Sequence, residues 1–84
     1  MARVVFLGRL REAAGVRALD LPLPTPTTLE GLIGLLDARD PGIGAVLTEP
    51  SVRVAINKDL KPASAADAVT DADEIAFLPP VTGG

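Results

Sequence analysis

The apolar patterns along these 84 residues predict an α+β domain ordered strand, strand, helix, strand, strand, with one main helix packed on one face of the sheet. Three observations carry that prediction. Val4-Val5-Phe6-Leu7 and Ile75-Ala76-Phe77-Leu78 are apolar in both registers, so each reads as a strand that asks for cover on both faces. Leu29, Leu32, Ile33 and Leu36 fall at i, i+3, i+4 and i+7, the stripe of one amphipathic helix. Val52, Val54 and Ile56 alternate with Arg53 and Ala55, the period of a half-buried strand.

The first strand spans Arg3 to Leu7. Gly8 to Ala14 is polar and Ala-rich, long enough for a helical turn at most, and Gly15 is placed to let the chain reverse. In Leu19-Asp20-Leu21-Pro22-Leu23 the leucines alternate with a charge and a proline. Because Pro22 has no N–H for a ladder, this strand belongs at a sheet edge. Pro24-Thr25-Pro26 is a stiff loop, after which Thr27 and Glu30 match a capping box that starts the helix. Glu30, Asp37 and Arg39 lie toward water, and Pro41 with Gly42 ends the element.

From Gly42 to Pro50 the pattern is weak, with a short helical turn around Ala45-Val46-Leu47. After the strand through Val52 to Ile56, Asn57-Lys58-Asp59 supplies turn chemistry. Lys61 to Thr70 reads as an irregular crossing segment with Leu60 and Val69 as anchors. Asp71-Ala72-Asp73 is a polar turn, and Glu74 to Leu78 is the last strand. One helix covers only one face. If Val4, Phe6, Ile75 and Phe77 sit beneath it, the register Val5, Leu7, Ala76 and Leu78 faces water or a partner, unless loops cover it.

Composition narrows the function. At this length folding buries roughly two-thirds of the surface that the unfolded chain exposes, so a single small core is all the chain can build. There is no Cys, His, Trp or Tyr, and the only aromatics are two phenylalanines, Phe6 and Phe77. The usual nucleophiles, general bases and soft metal ligands are therefore missing. A net charge of −3 argues against a nucleic-acid partner, since Lys58, Lys61 and the scattered arginines form no basic run. Arg9 and Arg11 interrupt the apolar N-terminal run long before it reaches the length of a signal peptide or membrane span, so a cytoplasmic protein is expected. Asp71, Asp73 and Glu74 lack the ligand spacing of a calcium loop and read as a solvated turn, and no metal is expected. Arg9, Arg11 and Arg17 are candidates for meeting an acidic partner, although scattered arginines more often serve solubility alone.

The end of the chain carries the sharpest signal. Pro79 and Pro80 cannot extend a ladder, which divides the chain into a folded body, residues 1–78, and a projecting tail, residues 79–84. Val81 to Gly84, extended, reach on the order of 13 Å. With Thr82 leading into Gly83 and Gly84, the last two places form a thread of backbone width that a narrow channel admits. The terminal carboxylate is ionised at neutral pH and a poor electrophile, with an ordinary pKa of about 3.3 to 3.7. Joining it to AMP creates a leaving group that a sulfur or nitrogen nucleophile displaces, and a partner must supply the nucleotide site because this chain has no Gly-rich phosphate loop.

Val4-Val5-Phe6-Leu7 with Leu10-Arg11-Glu12 and Gly15, Val54-Ala55-Ile56-Asn57, and the run from Asp73 to Gly84 together resemble the small sulfur-carrier subunits of molybdopterin synthase, in the MoaD/ThiS family, across nearly the whole chain. The resemblance implies a ubiquitin-like β-grasp fold, a mixed sheet with one main helix on one face. It also implies that an ATP-dependent, E1-like adenylating enzyme activates Gly84 and that a sulfur donor protein supplies the sulfur. Gly84 would carry covalent AMP and then sulfur as a thiocarboxylate, and that sulfur would pass to a cyclic pyranopterin to build the dithiolene of molybdopterin. Catalysis would lie in the large synthase subunit, making this chain a non-catalytic carrier that binds no cofactor of its own. Pro79, Pro80, Val81, Thr82 and Gly83 would thread the partner's pocket, and Leu7, Leu60, Leu78 and Arg11 would lie in the docking surface. Ala72 departs from the Asp-Gly-Asp turn usual in the family. A carrier for thiamine or another thio-cofactor, a ubiquitin-like modifier joined to lysines, and a plain interaction domain are the alternatives.

Overall fold

A computed structural model describes residues 1–61 and 67–79. Its element order is β1 (Ala2–Phe6), α1 (Leu10–Ala14), β2 (Ala18–Leu21), β3 (Thr27–Thr28), α2 (Leu29–Arg39), α3 (Ile43–Leu47), β4 (Arg53–Ile56), β5 (Asp59–Lys61), β6 (Ala68–Val69) and β7 (Glu74–Leu78). Five strands form one sheet in the order β2-β1-β7-β4-β5, and β3 pairs with β6 in a separate two-stranded ribbon. β1 and β7 are parallel neighbours while the other pairs in the sheet are antiparallel. The sheet is therefore mixed, and the two strands with two apolar faces lie inside it.

Alternation along each strand sends one register into the core. Ala2, Val4 and Phe6 of β1, Ile75 and Phe77 of β7, and Val54 and Ile56 of β4 are buried, and they join Leu29, Leu32 and Leu36 of α2, Ile43 and Leu47 of α3 and Leu10 of α1 in one cluster. Ile33 packs against that cluster half-buried, so the i, i+3, i+4, i+7 stripe faces the core as the spacing requires. Phe6 and Phe77 pair across the parallel strands with ring centroids 5.9 Å apart and planes 14° from parallel. An offset aromatic pair of this kind adds about 1 kcal/mol to the area it buries.

Several boundaries differ from the sequence expectation for local reasons. The N-cap of α2 is Thr28, whose hydroxyl accepts from the Gly31 N–H at 3.1 Å. Thr27 is not the cap, because it is held in the ribbon opposite Val69. Asp37, expected toward water, turns its Oδ1 to accept from Gly42 N–H at 3.1 Å and Gly44 N–H at 2.9 Å, which closes the corner between α2 and α3. The edge strand stops at Leu21, so Pro22 follows it. The weak stretch after Gly42 does hold a helix, two residues longer toward its N-terminal side than the Ala45-Val46-Leu47 reading.

Two short strands appear around the expected crossing segment: β5 takes up Asp59, expected in the turn, and reaches the segment only at Lys61, while β6 lies within it. β5 pairs with β4 through a two-residue turn at Asn57 and Lys58, with φ of 53° and 70°. Both residues are in the left-handed region, the geometry that matches hairpin turn to strand twist. Val69 is an anchor, fully buried, but Leu60 is not, standing 62% exposed on the edge strand. Residues 62–66 of that expected segment lie outside the described residues. Ala72 sits in its turn without a positive φ, so the position needs no glycine.

Candidate functional site

The face of the sheet opposite the helices is laid out in rows by the strand register. At the end where β1 and β7 begin, Asp20, Arg3 and Glu74 are cross-strand neighbours, and Arg3 Nη1 meets Asp20 Oδ1 at 3.9 Å. The middle row runs Ala18, Val5, Ala76, Ala55, Leu60 from one edge to the other. It has no polar side chain. Beyond it, Leu78 lies opposite Arg53, and Leu7 follows Phe6 next to it, its N–H donating to Phe77 carbonyl at 3.0 Å.

The open register therefore behaves as its residue types require. Val5, Leu7, Ala76 and Leu78 are half-buried rather than sunk in the core, and the three alanines of the middle row leave a shallow, flat strip rather than a pocket. Leu60 rises at its edge. Leu60 and Leu78 are separated by two inter-strand steps and two residues along the strand, on the order of 12 Å, so Leu7, Leu60 and Leu78 share one surface without touching as a cluster. Arg11, on α1, directs its Nε to the Phe6 carbonyl at 3.4 Å, which places it at the same end of β1 as Leu7. Ala55 and Arg53 complete this surface and were not singled out from sequence, although the alternation Val52-Arg53-Val54-Ala55-Ile56 already separates them from the core register.

The β4 turn and the start of β7 are locked together by side-chain amide geometry. Asn57 Nδ2 donates to Asp73 Oδ1 at 2.9 Å, and Asn57 Oδ1 accepts from Glu74 N–H at 2.9 Å. Asp73 Oδ2 accepts from Thr70 N–H at 2.7 Å. The Asn57 amide, then the Thr70 N–H, hold the Asp73 carboxyl below its ordinary value. Asp71 is lowered in the same sense, first by the Leu23 N–H and then by the Met1 ammonium 2.9 Å away. Asp71 and Asp73 are thus occupied in holding the turn. Among the described residues no group of three or more His, Cys, Asp or Glu side chains is placed to hold a metal ion, and no helix is long and apolar enough to cross a membrane.

The last strand ends at Leu78, and Pro79 is half-buried beside Gly8. Pro80, Val81, Thr82, Gly83 and Gly84, expected to form the reactive thread, lie outside the described residues.

A mixed sheet with parallel central strands, one principal helix on one face and an apolar strip on the other defines a ubiquitin-like β-grasp domain of α+β class. A similar architecture is seen in SAMP1 of Haloferax volcanii, with a TM-score of 0.81, 22% identity and coverage of 99% of this chain and 98% of that one. The chain belongs to the ThiS family, whose profile matches residues 4–84. It is 34% identical to the molybdopterin synthase sulfur carrier subunit of Escherichia coli and 38% identical to that of Haemophilus influenzae, each over 84 residues and the full length of both chains. The fold also matches a complex of subunits 1 and 2 of the molybdopterin-converting factor from Helicobacter pylori, with a TM-score of 0.65, 24% identity and 99% and 97% coverage.

Proposed function

We propose that this chain is a cytoplasmic sulfur carrier of molybdopterin synthesis, with residues 1–78 as the folded body and residues 79–84 as the tail. The Gly84 carboxylate attacks the α-phosphorus of ATP in an adenylating partner, forming an acyl-adenylate and releasing pyrophosphate. Hydrosulfide released by a sulfur donor protein then attacks the acyl carbon and expels AMP, leaving a thiocarboxylate; in the large synthase subunit its sulfur bonds to a carbon of a cyclic pyranopterin, and water cleaves the acyl–sulfur bond to return the Gly84 carboxylate. The catalytic groups belong to the partners, because this chain has no Cys or His to act as nucleophile or base at neutral pH.

The observation that carries this reading is the full-length likeness to sulfur carrier subunits, extending through the Pro79-Pro80-Val81-Thr82-Gly83-Gly84 end. The sheet face supports it. Leu7, Leu60 and Leu78 stand on an open apolar surface at whose far end β7 delivers the chain to Pro79, so a protein seated there receives both the surface and the tail. Arg11 stands at the same end.

Incubation with ATP, a sulfur donor and the adenylating partner is expected to replace one terminal oxygen by sulfur, read by intact mass. A chain lacking Gly84 is expected to fold normally and accept none. An unchanged mass with a partner that demonstrably makes acyl-adenylate would overturn the proposal. Transfer of the sulfur to thiamine or another thio-cofactor instead would show as a different product. The fold likeness to a small archaeal modifier protein makes isopeptide conjugates to lysine the outcome that would favour a modifier.

A further inference from the structure

The core-facing row of the sheet continues past its aromatic pair. Phe6, Phe77 and Val54 are cross-strand partners on β1, β7 and β4. Two residues further toward the same end, Gly8, Pro79 and Val52 return to the same face. Leu7 N–H donates to the Phe77 carbonyl on the way, Val52 is buried, and the Pro79 ring lies in the space left by the missing Gly8 side chain. Beside this step, on the helix side, a hollow of about 530 Å³ opens between α1 and α3. Leu10, Ala13, Val46 and Val52 line it, with Arg9, Glu12 and Glu49 at its rim. Leu10 and Val52 belong to the core and Val46 packs against it half-buried, so the floor is apolar. Pro79, in the core register, therefore stands at the mouth of this hollow.

We infer that the hollow is a resting site for the chain's own tail, taking up Pro80 and Val81 while no partner holds them. The inference rests on the carrier reading for what the tail does once released. Five residues, Pro80 to Gly84, follow Pro79 outside the described residues, and fully extended they span about 17 Å. One wall of the hollow, α1, is five residues long, about 7.5 Å, so the first three tail residues are enough to cover it. Pro80 and Val81 match the apolar floor. The rim sets two carboxylates against one guanidinium and offers the ionised Gly84 carboxylate no net attraction, so Gly83 and Gly84 stay in water beyond it. Burial of Val81 is opposed by the ordering of two or three residues, one of them a proline whose φ is already fixed. These opposing terms are similar in size, so the site fills and empties readily. A partner that draws the tail into its own cleft competes with this site, and its apparent affinity is reduced by the fraction of tail that is parked.

The chain has no cysteine, so Thr82→Cys carries a single nitroxide label, and methyl signals are compared with the label oxidised and reduced. Those of Leu10, Ala13 and Val46 are expected to lose intensity to at least about twice the extent of those of Leu7 and Leu78, the open-face leucines at the same end. Val81→Ser in the labelled chain removes the apolar occupant without touching the body, and is expected to equalise the two sets. Ala13→Glu, at an exposed helix position, puts a charge in the groove and is expected to do the same with an unchanged unfolding midpoint. If Ala13→Glu does not fold, Val81→Ser decides the question. Equal losses in the unmutated labelled chain, or larger losses at Leu7 and Leu78, overturn the resting site. So do groove losses that survive Val81→Ser, which would reflect the label and not the tail. Losses that persist when label and isotope are on different copies assign the hollow to a second copy's tail and overturn the intramolecular site. Sulfur loading of the unlabelled wild-type chain is read by intact mass alongside. Loading without groove contact overturns the resting site alone, whereas no loading by a partner that makes acyl-adenylate overturns the carrier reading wherever the tail rests.

Discussion

The Pro79 ring occupies the space that a side chain on Gly8 would fill: a Cβ built on Gly8 would lie 2.8 Å from Pro79 Cγ. Gly8 has a φ of +56°, so the turn after β1 is both left-handed and in close approach to the first residue beyond β7. Gly15 has a φ of +79° but nothing within 4 Å of its missing Cβ. The two positions separate backbone strain from crowding. Gly15→Ala is expected to cost about 1 kcal/mol, the penalty of a left-handed L-residue. Gly8→Ala is expected to cost about 2 kcal/mol, since the proline ring must also move. Urea unfolding of both variants measures the difference, and adding Pro79→Ala to Gly8→Ala should recover the crowding part.

Helix capping supplies a second prediction. Thr28→Ala is expected to cost about 1 kcal/mol, because the Gly31 N–H loses its acceptor. Thr27→Ala, on the ribbon paired with Val69, should leave the cap intact. If unfolding shows Thr27 to be the costlier position, the cap assignment is wrong.

These cases show what the sequence held and what it did not. The core register was legible because Val4, Phe6, Ile75 and Phe77 are large and strictly alternating, and α2 because its leucines repeat at helical spacing. Thr27 and Thr28 were not distinguishable, since both offer a hydroxyl near the helix start. Only pairing with β6, a contact made across about forty residues, places Thr27 in a strand. β5 and β6 were hidden for a similar reason: two or three residues carry no period, and their backbone finds its partners only when β4 and β3 are in place. Of the candidate surface, Leu7 and Leu78 were readable from the two-faced strands. Leu60 looked like a core anchor on hydrophobicity alone, and its exposure follows from falling opposite Ala55 on an edge strand.

Acid stability depends on the two lowered carboxyls. Native Asp71 and Asp73 hold protons less tightly than in the unfolded chain, whose ordinary value is 3.8. The unfolded state therefore binds more protons as the pH falls, and the stabilisation from these groups is complete above that value and lost as the pH drops through the lowered native values. Asp73→Asn removes one of the two titrations. It is expected to be less stable than wild type at neutral pH, because Asn57 and Thr70 lose a charged acceptor, and to show a shallower decline below the ordinary Asp value. Denaturant unfolding at a series of pH values checks the slope, and an unchanged acid branch would remove Asp73 from the account.

Leu60 and Val69 are the pair that separates docking from folding, since both are aliphatic residues on short strands but their burial is opposite. Val69 is fully enclosed while Leu60 stands 62% exposed. Truncating Val69 to Ala empties space in the core and is expected to cost roughly 1 to 3 kcal/mol. Leu60→Ser removes apolar area that water already reaches, so stability is expected to change by no more than about 0.5 kcal/mol. On the carrier reading, the same Leu60→Ser change takes an apolar anchor from the partner surface and weakens binding of the large synthase subunit by about tenfold or more, a loss of about 1.4 kcal/mol. Calorimetric titration beside urea unfolding gives both quantities on one protein. A Leu60→Ser variant that binds as tightly as wild type would exclude the edge-strand leucine from the interface and confine docking to the Leu7–Leu78 end of the sheet.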